Sequence, residues 1–154
     1  MDFDELMGDF AREAGMGEIE PEKDGFYSIA ADDMPISVGQ LPDGGLALWA
    51  EAGETPAEGR EAFYRMLLEA VHDGRETAGA LFSIDRVTGR VFLHAEDSSA
   101  PDTLDGLRDR LDAFASTLGD WRRRISDFRA PCEDLASGPS EGPILFGQEG
   151  FIRI

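Results

Sequence analysis

Few residues in this chain have the type and spacing to do chemistry. Gly138-Pro139-Ser140-Glu141-Gly142 matches the nucleophile-elbow pattern, in which a serine sits on a tight turn between a strand and a helix. Here a Pro- and Gly-rich stretch surrounds the serine. Both histidines, His72 and His94, precede it, the reverse of the order that arrangement uses. A plain turn is the better reading. Two histidines and one cysteine fall short of a structural zinc site, and their spacing fits no zinc pattern. Asp32-Asp33 and Asp97 carry the charge to meet a cation, yet in so acidic a chain such groups read as solvated loops. Cys132 follows Pro131 without a clear basic context to lower its pKa, so it reads as an inert thiol. His72 is expected against the last carbonyls of a helix, and His94 at a strand end facing water. No glycine-rich dinucleotide fingerprint or phosphate loop is present. The residues therefore predict no catalytic centre, no metal site and no cofactor, and point to a protein that binds rather than transforms.

Composition narrows what it binds. The chain has 154 residues, with 32 Asp and Glu against 14 Lys and Arg, a net charge of -18. Phosphate contact needs a basic patch, so a nucleic-acid partner is excluded. Docking on anionic lipid is excluded for the same reason. An acidic field instead steers in a basic partner. Any self-association must rest on apolar contacts. Met1-Asp2-Phe3-Asp4-Glu5 has neither the basic nor the apolar region of a signal peptide. No apolar run approaches the roughly 18 residues of a membrane span. The expectation is a cytoplasmic protein. A single cysteine rules out an internal disulfide.

Hydrophobic spacing predicts the elements that position any binding surface. Phe3, Leu6, Met7, Phe10 and Ala14 recur at helical steps from Asp2 to about Ala14, and Gly15 and Gly17 stop that helix. Three strands follow, Phe26–Ala30, Met34–Val38 and Leu46–Glu51. Pro35 lacks an amide donor and predicts an edge or a strand start. Thr55-Pro56-Ala57-Glu58 reads as a capped helix start, with the helix running to about His72. Ala80–Asp85 and Arg90–His94 form a hairpin across Arg86-Val87-Thr88-Gly89. Leu81 opposes Phe82 and Ile84, and Phe92 opposes Val91 and Leu93. Both faces of the hairpin are thus apolar, which calls for a covering partner. The last helix, about Thr103–Ile125, has a stripe of Leu104, Leu107, Leu111, Phe114, Leu118, Trp121 and Ile125. The order α-β-β-β-α-β-β-α predicts an α+β fold with an antiparallel sheet flanked by helices. Residues 1–128 form the domain. Residues 129–154 form a Gly/Pro-rich tail whose apolar pieces, Ile144–Phe146 and Phe151–Ile154, are either docked on the body or free.

These residues carry a resemblance. The opening helix with Phe3, Leu6 and Phe10 is followed by Ile36-Ser37-Val38 and Leu46-Ala47-Leu48. Phe63-Tyr64-Arg65-Met66-Leu67-Leu68-Glu69-Ala70 comes next. The most telling part is Leu81-Phe82-Ser83-Ile84-Asp85, then Thr88-Gly89-Arg90-Val91-Phe92-Leu93 and the Leu104–Trp121 helix. Over about residues 1–128 the chain resembles class I type III secretion chaperones of the Tir-chaperone (CesT-like) family. Gly150–Ile154 is similar to the end of some members. The resemblance implies a bacterial cytoplasmic homodimer without enzymatic activity. It also implies binding of the N-terminal region of a secreted effector in extended form, or sequestration of a secretion regulator. On this reading Phe3, Leu6, Met7, Phe10, Ile36 and Val38 line an effector groove, unless they are simply core. Tyr64, Leu68, Leu81 and Phe82 lie near the dimer interface. Other readings are a sensor-like relative of the same fold, an acidic inhibitor of a basic partner, and a small enzyme.

Overall fold

The computed structural model describes residues 2–131. Helix α1 spans Phe3–Glu13. The Asp2 backbone N–H donates to Glu5 Oε2 at 3.4 Å, the returning half of a capping box. Gly15 takes φ 71°, and the Met16 N–H then donates back to the Ala11 carbonyl at 2.9 Å. Strands β1 (Tyr27–Ala31), β2 (Met34–Gln40) and β3 (Leu46–Glu54) follow. Helix α2 (Arg60–Asp73), strands β4 (Leu81–Ile84) and β5 (Arg90–Asp97), and helix α3 (Leu104–Asp127) complete the described chain. The element order is the predicted α-β-β-β-α-β-β-α, and the fold is α+β.

The five strands form one sheet in the order β1-β2-β3-β5-β4, every neighbouring pair antiparallel. Asp32 and Asp33 are the two central residues of the β1–β2 hairpin, at φ 49° and 62°. Two positive φ values in a two-residue turn match the strand twist, and Asp tolerates that region better than most side chains. The pair serves a turn.

Three expectations need correction. Of the two alternatives for Pro35, the strand start holds and the edge does not: β2 begins at Met34, and among the described residues β1 and β4 are the edges. Pro35 is tolerated because the β2–β3 ladder starts only at Ser37, so β1 alone flanks the proline, through Ala30. Helix α2 does not start at Thr55-Pro56. The Thr55 N–H donates to the Gly89 carbonyl at 2.9 Å, which keeps the chain beside the β4–β5 hairpin until Gly59 caps the helix at φ 68°. A Cβ at Gly59 would come within 2.9 Å of Ala130 Cα, so both the conformation and the space favour glycine there. His94 is not a strand end, since β5 continues three residues further to Asp97.

Helix α3 lies over the middle strand. Its buried residues are Leu107, Leu111, Phe114, Ala115, Leu118, Trp121 and Ile125. The Thr103 hydroxyl caps it, accepting from the Gly106 N–H at 3.1 Å. The helix crosses β3 where the register shifts between Glu51 and Gly53. Here a Cβ on Gly53 would stand 2.5 Å from Ile125 Cγ2. We expect Gly53→Val to lower stability by about 2 kcal/mol through forced displacement of α3. Chemical denaturation of the variant checks this; an unchanged midpoint contradicts the close approach.

Candidate partner-binding surfaces

The structure assigns the chemistry-bearing residues to other work. Asp97 accepts from the Ser99 N–H at 2.9 Å and the Ser99 hydroxyl at 2.7 Å, and pairs with Arg110 at 3.2 Å. The Ser99 hydroxyl and amide hold its carboxyl below the usual carboxylate range. His94 stacks on Trp49 with ring centroids 5.6 Å apart, and His72 is exposed at the end of α2. Among the described residues, no three His, Cys, Asp or Glu side chains gather as a metal site would require. Cys132 and Gly138–Gly142 lie outside the described residues. Among the described residues, no helix is long and apolar enough to cross a membrane.

The six groove candidates come together in one place, the core. Phe3, Leu6, Met7 and Phe10 project from α1 into the same buried cluster as Ile36 and Val38 of β2. None of the six exceeds 8% exposure. Helix α1 is held onto β1 by the Tyr27 hydroxyl, which donates to Asp4 Oδ1 at 2.7 Å. Phe3 meets the Tyr27 ring edge-on at 6.1 Å. At its other end Glu13 pairs with Arg108 of α3 at 2.9 Å. With α1 seated, an outside side chain does not reach these residues.

The four interface candidates divide. Leu68 on α2 is 71% exposed and Leu81 on β4 is 48% exposed, both large apolar side chains facing water in the single chain. Tyr64 and Phe82 are half-buried, Tyr64 against Phe63 and Phe82 edge-on to Trp121 at 4.8 Å. Helix α2 packs on β4, so the two elements share one side of the molecule.

Residues that were not named as a site extend this surface. Strand pairing places Leu81 opposite His94 and His94 opposite Trp49 across β4, β5 and β3. Trp49 is 43% exposed and also leans on Phe92, with centroids 5.2 Å apart. Ile84 and Val87 add apolar surface at the hairpin tip. The signal in the sequence was alternation: Trp49 stands out of phase with Leu48 and Ala50. Strand β1 offers a second kind of surface. It is a sheet edge, and Glu18, Glu20, Glu22 and Asp24 precede it while Asp32 and Asp33 follow.

An acidic body with an open sheet edge and an exposed apolar side suits peptide capture and self-association. A family model, the Tir chaperone protein (CesT) family, matches residues 5–122. The chain belongs to this family. Solved structures share its fold. The ExsC–ExsE complex matches with TM-score 0.67 and 23% identity, covering 81% of this chain and 97% of that one. The HopA1–SchA chaperone–effector complex gives TM-score 0.62 and 15% identity, over 79% and 93% of the two chains. The Yersinia pestis type III secretion chaperone SycH, in complex with a stable fragment of YscM2, gives 0.57 and 17%, over 80% and 99%. No curated protein sequence gives a significant match. Family membership supports a chaperone role for this Tir-chaperone-family chain.

The contact that seats α1 has a pH signature. Burial first, then the hydrogen bond to Asp4 and the nearby charge, push the Tyr27 hydroxyl up to about 12 from its usual value near 10. The folded value is the raised one. Its stabilisation is therefore full below pH 10 and is lost as the pH rises toward 12. Phenolate absorbance is expected to report Tyr27 ionising about two pH units late. In Tyr27→Phe that transition disappears, and with it the loss of stability over the same pH window. Ionisation of Tyr27 near 10 in the folded protein contradicts the latch.

Proposed function

We propose that this chain is a non-enzymatic type III secretion chaperone of the bacterial cytoplasm. It binds the N-terminal region of a secreted effector, or a secretion regulator, as an extended segment and works as a homodimer. One observation carries the reading: the family match spans residues 5–122, almost the whole described body. The physical features agree with it. The β1 edge presents backbone groups for strand addition, which supplies affinity with little dependence on sequence. Ile36 and Val38 of β2 form the floor of the groove, which the effector reaches by displacing α1 together with its Phe3, Leu6, Met7 and Phe10. Displacement breaks the Tyr27–Asp4 and Glu13–Arg108 contacts, and the eleven freed residues are too few to stay helical alone. The acidic residues around β1 speed the encounter with a basic segment, with a rate that falls as salt rises.

The dimer is proposed to form through α2 and the β4–β5 hairpin, with Tyr64, Leu68, Leu81 and Phe82 at or beside the contact. Light scattering at micromolar concentration is expected to give about twice 16.8 kDa. The double variant Leu68→Asp with Leu81→Asp is expected to give the monomer mass with native circular dichroism. A monomeric wild type, or a variant that stays dimeric, sinks this assignment.

For partner capture, the probe is a secreted protein encoded beside this chain, co-expressed with it. Amide exchange in Tyr27–Ala31 is expected to slow at least tenfold in the complex. Binding that leaves β1 exchange unchanged rejects strand addition; failure to bind any such protein rejects the chaperone reading.

A further inference from the structure

One cleft in the described body is unrelated to the surfaces above. It has a volume of about 280 Å³ and lies between α3, the ends of β3 and β5, and the loop from α2 to β4. Leu48, Ala80, Ala95, Ala113 and Phe114 supply apolar wall. Carboxylates stand at its mouth, where the lining residues Glu96 and Asp97 are exposed. Asp97 is committed to Ser99 and Arg110. Glu96 makes no ion pair among the described residues. The site therefore suits a short apolar segment carrying one cation. Its size is that of one or two side chains, below the usual range for a small-molecule site.

The chain itself contains such a segment. Residues 132–154 hold four carboxylates, Glu133, Asp134, Glu141 and Glu149, and one cation, Arg153. Arg153 stands between Ile152 and Ile154, with Phe151 just before. In an extended segment neighbouring side chains point opposite ways, so Ile152 and Ile154 can enter a cleft while Arg153 faces its mouth. Reach is ample. Going from Thr117 at the cleft to the end of α3 at Asp127 spans roughly 15 Å of helix. The stretch from Pro131 to Ile152 extends to roughly 70 Å. A tethered segment also competes at an effective concentration near millimolar. The piece lies beyond the family match, which ends at residue 122.

We propose that Phe151–Ile154 docks in this cleft of its own chain, with Ile152 and Ile154 against the apolar wall and Arg153 paired with Glu96. The proposal stands apart from effector binding and is tested without an effector. Amide exchange is followed in the purified full chain. In the wild type, residues 152–154 are expected to exchange at least tenfold slower than an unstructured peptide. Ala113→Trp, which fills the cleft from an exposed helical position, is expected to restore the unstructured rate. So is Arg153→Glu, and adding Glu96→Arg to that variant is expected to recover the protection. Unprotected amides in the wild type overturn the proposal, as does protection that survives Ala113→Trp. Should Ala113→Trp disturb the fold, a benzophenone side chain placed at position 152 decides. Crosslinks to Ala95 or to residues 113–117 of the same chain support the proposal. Crosslinks elsewhere, or between two differently labelled copies, overturn it.

Discussion

Trp121 is the side chain on which the arrangement of the body turns. It is fully buried, and its indole N–H donates to the Glu76 carbonyl at 2.8 Å. Phe82 of β4 meets its ring edge-on, and the Arg124 guanidinium lies 4.0 Å from the ring centroid. One residue thus joins α3, the loop after α2 and the edge strand β4. A buried indole needs a partner for its single donor, and here only a backbone carbonyl from that loop supplies it. The loop must therefore hold its shape, with Ala78 at φ 50° and Gly79 at φ 81°. The position of that loop in turn closes one side of the cleft beneath α3.

With α3 committed to one face, the sheet is left asymmetric. The helices share a single core with the strand residues that face them. The opposite face keeps Trp49 and Leu81 in water. Apolar surface of that kind costs free energy while exposed, roughly 25 cal/mol per Å². It is the natural place for a partner or a second copy to bind. In the proposed function the acidic surface sets the sign of what approaches, and the apolar side decides what stays. Most ion pairs here are exposed, such as Arg12 with Asp9, so they contribute little to holding the body together. Packing carries that load.

The elements and their order were legible in the sequence because burial imposes a period. The α3 stripe recurs at three and four residues with no interruption, and only a helix lying on a core satisfies that. Alternation in Leu46–Ala50 showed a strand with one face inward, and the family resemblance followed from the same pattern. Less local matters were not legible. The start of α2 was misplaced because Thr55-Pro56-Ala57-Glu58 satisfies a helix cap locally, while pairing with Gly89 claims Thr55 for the neighbouring hairpin. Pro35 left an edge and a strand start both open, because a proline states only that a donor is missing, not which neighbour is absent; its place at the start of β2 came from the strand pairing.

The candidate groove shows the same division. Sequence determined that Phe3, Leu6, Met7, Phe10, Ile36 and Val38 must leave water. Whether they do so against each other or against a partner is a matter of which surfaces meet, and periodicity carries no such information. Tertiary structure decided that α1 carries its four onto Ile36 and Val38, latched through Tyr27 and Asp4. It also decided that Leu68, Leu81 and Trp49 are among the large apolar side chains left outside. The reason is geometric. A side chain's phase along its own element follows from the sequence, but its exposure depends on which other element lies over that phase.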